Sequence, residues 1–178
     1  MQRPSAPIAI AVALPLLLAV VVAGIGISAR LRGPDAPSPE TGPLAVATVD
    51  APDAASPSCT TLLAGLDGDL PAGTTTLPRR ALAPPTPAGV RAWAAVPTPV
   101  VLRCGLPRPA ELTPTSELLE VNGVRWLTLT EGGLVTSIAV DRPVYVALTG
   151  PAGVGSGPLQ AVSDAVRTTL PAQAVAVR

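Results

Sequence analysis

The sequence predicts an α+β protein: an N-terminal transmembrane helix, then a small domain in which an antiparallel β-meander is packed by a C-terminal helix. Three observations predict it. Residues 8–28 form one uncharged apolar run. Residues 118–149 alternate apolar and polar positions as half-buried strands do, and are punctuated by Asn122-Gly123 and Gly132-Gly133. Leu159, Val162, Val166 and Leu170 then recur at the spacing of one helix face.

The chain of 178 residues divides in order into a flank (1–7), the apolar span (8–28), a Pro/Ala-rich disordered linker (29–57) and an extracytoplasmic α+β domain (58–178). At about 1.5 Å of rise per residue, the span matches a hydrocarbon core of about 30 Å. Its rivals are a cleaved signal peptide, for which Arg3 supplies the positive head and Gly26 and Ser28 the small residues, and a buried core helix. Cys59 lies too far beyond the run to be a lipid-attachment cysteine. Arg3 precedes the run while Arg30 and Arg32 follow it, and the N-terminal amine evens that count. The cysteines then decide the orientation. Two in a small domain behind an export-type segment read most simply as one disulfide in an oxidising compartment, with two unpaired buried thiols as the alternative. The expected location is the plasma membrane, single-pass, with the C-terminal domain outside the cytosol.

Residues 33–57 carry four acids, no bases and six prolines, too little apolar matter for a core, and read as a tether. A short β-segment at Leu44 to Val49 is the alternative for part of that stretch. In the domain, Ser58 is expected to cap a helix from Cys59 to Leu66, with Gly68 beyond its end. Seven prolines between Pro71 and Pro99 predict ordered loop, with at most a turn of helix over Ala88 to Ala95. Strands follow at Val100 to Cys104, Leu118 to Val121, Val124 to Thr130, Leu134 to Val140 and Val144 to Thr149. The last of these places Val144, Val146 and Leu148 on one face and Tyr145, Ala147 and Thr149 on the other. Asn122-Gly123 suits a type I′ turn, which needs positive φ at both positions. Gly157 and Pro158 start the last helix, Pro171 ends it, and Ala174 to Val177 is read as a short closing strand.

Composition excludes more than it selects. The net charge is zero, all twelve basic residues are arginine, and no histidine is present. A neutral balance argues against nucleic acid, which needs a basic face. Without histidine or lysine there is no Ser-His-Asp or Cys-His arrangement, no Ser-Lys dyad, no Schiff base and no P-loop lysine. No Cys-x-x-Cys pair exists to hold zinc, so neither metal nor cofactor is expected. The pairs Asp67/Asp69 and Glu117/Glu120 adjoin turns and read as solvated surface charge rather than as an acid and a base. The run Gly150 to Gly157 lacks the nucleotide spacing, and Pro158 removes a donor, so an ordinary loop is preferred to an anion site. Trp93, Arg103 and Arg142 are the candidate partner contacts, because tryptophan and arginine carry much interface energy, but the stronger reading makes both tryptophans the large core pieces of a chain without phenylalanine and Asp141-Arg142 a turn. Trp126, in mid-strand, is expected in the core, and Arg103 is a candidate to pair with a carboxylate inside the fold.

The stretches WAAVPTPVVLRCGLPRPAEL, LEVNGVRWL, DRPVYVAL and PLQAVSDAVRTTLP resemble an actinobacterial family of single-span exported proteins catalogued only as a domain of unknown function. The resemblance covers roughly residues 58–178, and its most specific piece is Val-Leu-Arg-Cys-Gly. It implies a Cys59–Cys104 pair and an extracytoplasmic setting, and no activity. The expected function is a membrane-anchored, non-catalytic module, held in the lipid bilayer by residues 8–28, that contacts an envelope protein or a cell-wall component. The alternative is an envelope hydrolase or small-ligand-binding domain that uses carboxylates.

Overall fold

A computed structural model describes residues 38–177. The flank, the expected span 8–28 and the start of the linker lie outside the described residues. No helix among the described residues is long and apolar enough to cross a membrane.

Helix α1 spans Pro57–Ala64, two residues earlier than expected. Ser56, not Ser58, is its cap: the Ser56 hydroxyl accepts from the Cys59 N–H at 3.3 Å. Pro57 fits the first turn because its missing N–H would be unsatisfied there anyway. The helix closes at Gly65 rather than Gly68, and it buries Cys59, Leu62 and Leu63.

The proline-rich stretch is more ordered than its composition suggests. Strands β1 (Leu70–Ala72) and β2 (Thr75–Leu77) form a separate two-stranded antiparallel ribbon. β3 (Arg79–Arg80) and β4 (Val90–Trp93) begin the main sheet, so the expected helical turn at 88–95 is strand instead. The remaining strands are β5 (Val100–Leu106), β6 (Leu119–Val121), β7 (Val124–Glu131), β8 (Leu134–Ala139) and β9 (Tyr145–Pro151). The main sheet has seven antiparallel strands in the order β3-β4-β5-β9-β8-β7-β6. The meander runs from β6 to β9, and β5 returns to pair with β9, which makes β9 a central strand. Asn122 (φ 51°) and Gly123 (φ 76°) both take the left-handed conformation that the β6–β7 turn demands.

A short 3₁₀ turn, Ala152–Val154, leads into helix α2 (Gly157–Thr169). Val162 and Val166 on α2 pack with Leu62 and Leu63 of α1 over one sheet face. Both tryptophans lie in this layer. Trp126 is 0% exposed, and its indole donates to the Ser163 hydroxyl at 3.0 Å. Trp93 is equally buried and donates to the Gly68 carbonyl at 2.9 Å. Cys59 and Cys104 form a disulfide in the same layer, tying α1 to β5. It closes a sequence separation of 45 residues, for which the chain-entropy account gives on the order of 4 kcal/mol.

Two expectations at the ends change. The stretch read as linker runs along the domain from Ser38 onward. Leu44 bridges Leu82 in parallel, with Leu44 N–H to Ala81 O and Ala83 N–H to Leu44 O both at 2.8 Å. Arg80 donates to the Gly42 carbonyl at 2.6 Å and meets Glu40 at 3.1 Å, and Asp53 N–H reaches Gly105 O at 3.1 Å. The segment needs little apolar surface because the short edge strand β3 and its loop offer it free backbone partners. Gly105 (φ 84°) permits this approach, since a Cβ there would run into Asp53 and Ala54. The closing strand at 174–177 is absent. The tail is held instead by Gln173 N–H to Asp141 O and by Arg108 to Ala176 O.

Candidate functional site

Strand alternation and register assign every side chain of the main sheet to one of two faces. The face toward the helices receives Val100, Leu102 and Cys104 from β5, and Val144, Val146 and Leu148 from the β9 region. The opposite face receives Val101 and Arg103, then Ala147 and Thr149, then Thr136 and Ile138, then Leu127 and Leu129, along paired positions of β5, β9, β8 and β7.

This second face is covered only at its ends. Leu112 and Val140 are buried with Leu127, Ile138 and Ala147, and the tail adds Val175. At the other end the segment from Leu44 to Ala51 runs from its bridge with Leu82, in the loop after β3, to a slot it shares with Val90 of β4 and Arg103 of β5. Val101, Thr136, Thr149 and Leu129 stay half-buried between the two covers. The Thr136 and Thr149 hydroxyls meet across the strands at 2.9 Å.

Arg103 stands beside this gap, next to a slot of about 20 Å³ lined by Val49, Ala51, Pro87, Ala88 and Val90. It is half-buried, and its Nε is enclosed without a hydrogen-bond partner. The carboxylate expected to pair with it inside the fold is not found among the described residues. Desolvation alone pushes its guanidinium below its ordinary pKa. Every other described arginine is engaged. Arg79 and Arg91 share Asp67 at 2.6 and 3.6 Å, Arg80 holds Glu40, and Arg125 faces Glu120 at 3.9 Å. Arg142 pairs with Asp141 at 3.0 Å, Arg167 meets Asp164 at 3.4 Å, and Arg108 donates to the Leu112 and Ala176 carbonyls.

The other two candidate contacts are internal. Trp93 is a core residue: its bulk fills the layer beneath α1, and its N–H is spent on a backbone carbonyl. Arg142 is 6% exposed and donates to the Asp141 and Gly123 carbonyls, clamping the β6–β7 turn to the β8–β9 connection. Asp67, Asp69, Glu117 and Glu120 are all exposed, and the two pairs do not converge on a common cavity. Asp69 accepts the Arg79 backbone N–H at 3.0 Å. Among the described residues no cluster of three or more metal-ligating side chains occurs. The loop from Gly150 to Gly157 overlies a cavity of about 120 Å³ whose walls are mostly apolar, Val100, Val135, Leu148, Val154, Pro158 and Leu159, with Ser137 and Ser156 as the hydroxyls and no cationic side chain.

Sequence reasoning singled out Arg103 and missed its setting. The Thr136–Thr149 pair is a tertiary register that no local spacing announces. The apolar scatter of residues 44–51 was the one signal for the strap, and it fell within a stretch whose composition reads as linker.

The model of one protein family, described as a protein of unknown function (DUF3515), matches residues 10–175. The chain belongs to the DUF3515 family. The DUF3515 match begins well before residue 58, so it takes in the strap as well as the folded domain, further than the resemblance read from the sequence. No curated protein and no solved structure matches the chain.

Proposed function

We propose that this DUF3515 chain is a membrane-anchored, extracytoplasmic, non-catalytic module that contacts an envelope protein or a cell-wall component. Residues 8–28 supply the anchor and the second sheet face supplies the contact. The observation that carries the reading is the Cys59–Cys104 disulfide, because such bonds persist in oxidising compartments and are rare in the cytosol. Two further observations support it. The pairs Asp67/Asp69 and Glu117/Glu120 are exposed, with Asp67 and Glu120 tied to arginines, whereas acid–base chemistry needs carboxylates convergent in a cleft. Binding surfaces, in turn, favour an arginine held ready on a rigid sheet.

Both sulfurs are buried, so the test must open the fold before it counts thiols. Cells are lysed directly into denaturant with a maleimide, with and without prior reduction, and a reporter active only outside the cytosol is fused after Arg178. The expected outcome is two alkylated cysteines after reduction, none before it, and an active reporter. Two alkylated cysteines without reduction, or a silent reporter, would overturn the reading.

A further inference from the structure

We propose that Arg103 is the anchor of a carboxylate-binding site on the second sheet face, an assignment that rests on reading the domain as a contact module and names the chemistry of what it contacts. A guanidinium withdrawn from water without a counter-charge is costly, and folded chains rarely keep one without a use. Arg103 is the one described arginine with neither a carboxylate nor a hydrogen-bond acceptor: Arg91 and Arg142 also enclose an unpartnered Nε but pair with acids, and Arg108 is held by two carbonyls.

Its Nε faces inward, while its terminal nitrogens are not among the enclosed, partnerless atoms. The end of the fork is therefore open to an incoming group. Thr149 stands opposite Val101, one alternate position from Arg103 on the same face. In the Thr136–Thr149 pair one hydroxyl donates to the other, which leaves a second O–H free to donate. A planar fork with a nearby hydroxyl suits a carboxylate, which accepts two parallel N–H bonds.

Charge chooses carboxylate over phosphate. Arg80, on this face, is already held by Glu40 and the Gly42 carbonyl, and Arg108 is fixed on the Leu112 and Ala176 carbonyls, so Arg103 offers one guanidinium that has no partner. A carboxylate matches that one to one, whereas a phosphate dianion would leave a charge unpaired. Val49, 44% exposed at the rim of the slot, and half-buried Val101 add apolar contact for the group bearing the carboxylate.

The test is a titration of the full-length chain, labelled with nitrogen-15, read at the Arg103 side-chain Nε–H signal. The probes are acetyl-alanyl-alanine, its C-terminal amide, acetyl-glutamic acid α-amide and inorganic phosphate. The expected result is a saturable shift with a Kd of about a millimolar for a carboxylate probe, and at least about tenfold weaker binding for the amide and for phosphate. A preference between the alanyl and glutamyl probes supports the site and tells a chain terminus from an acidic side chain as the source.

Arg103→Gln is expected to abolish the carboxylate response, read at the Thr149 amide, while the buried Trp126 indole signal reports an intact fold. Should that variant unfold, Val49→Glu places a carboxylate of the chain's own beside Arg103 and is expected to weaken the probe about tenfold. Absence of a saturable shift, phosphate binding as tightly as carboxylate, or a response unchanged in both variants would overturn the assignment. Failure here leaves the disulfide-based compartment reading intact, and failure of that reading leaves this titration unaffected.

Discussion

The two faces of one sheet are closed by different means. Toward the helices, two tryptophans, a disulfide and regular helical stripes form a dry layer in which each indole N–H has one backbone or hydroxyl acceptor. On the other face the cover is irregular chain, with a strap from the N-terminal side and a loop and tail from the other, leaving between them a half-open strip of Val101, Thr136, Thr149 and Leu129. Stability is thus concentrated where regular elements pack, and the unpaired charge sits where they do not. The helix-covered face keeps a cavity of about 120 Å³ at its rim beside the Gly150–Gly157 loop, but that cavity is mostly apolar and carries no charged group, whereas the other face holds Arg103.

The comparison breaks first at Trp126. Replacing it with alanine removes the largest kind of core side chain from the helix-covered face and opens a cavity next to α2, at an expected cost of about 4 kcal/mol. Denaturant unfolding with the disulfide intact measures it. A loss under about 1 kcal/mol would mean that the helix layer is not the seat of stability.

A matched pair of leucines sharpens the contrast. Leu102 and Leu129 lie on opposite faces; Leu102 is 0% exposed, and Leu129 is half-buried in the strip. Leu102→Ala is expected to cost about 3 kcal/mol and Leu129→Ala about 1 kcal/mol, since the second site already meets solvent and leaves little cavity behind. Equal losses would show the second face to be as tightly sealed as the first.

The same division separates what the sequence discloses from what it conceals. The β6–β7 hairpin and α2 are legible because their causes are local: Asn122-Gly123 dictates its own turn, and Val162 and Val166 repeat on one stripe. Strands β1 to β4 are not, because segments of two to four residues among prolines become strands only when a neighbour supplies the other half of each hydrogen bond. The strap fails for the same reason: composition registers too few apolar residues to form a core, and says nothing of backbone partners held out by a distant edge. At the site, the kind of residue was readable and its state was not. Trp93 and Arg103 look alike as interface residues in sequence, yet Gly68 and the helix layer absorb one, and tertiary structure leaves the other without an acid. Asp141-Arg142 reads as a turn, whereas the reach from Arg142 to the Gly123 carbonyl makes it a buried clamp.

The smallest expected effect is the most telling about the open face. Desolvation lowers the Arg103 pKa in the folded protein, so the unfolded chain holds that proton more tightly. Stability contributed by this group therefore rises with pH only within the strongly alkaline window between the two values, and from about pH 5 to pH 9 its cost to the fold is constant. Arg103→Met keeps an apolar stem over the slot and removes the charge. Its stability is expected to stay within about 1 kcal/mol of the parent, on the more stable side, by the same amount at both ends of that range. Acetate then separates the two chains: it raises the melting temperature of the parent by mass action at the folded site and leaves the variant unmoved. A variant clearly less stable than the parent would make Arg103 a structural brace, and the gap between the two covers would lose its claim to a ligand.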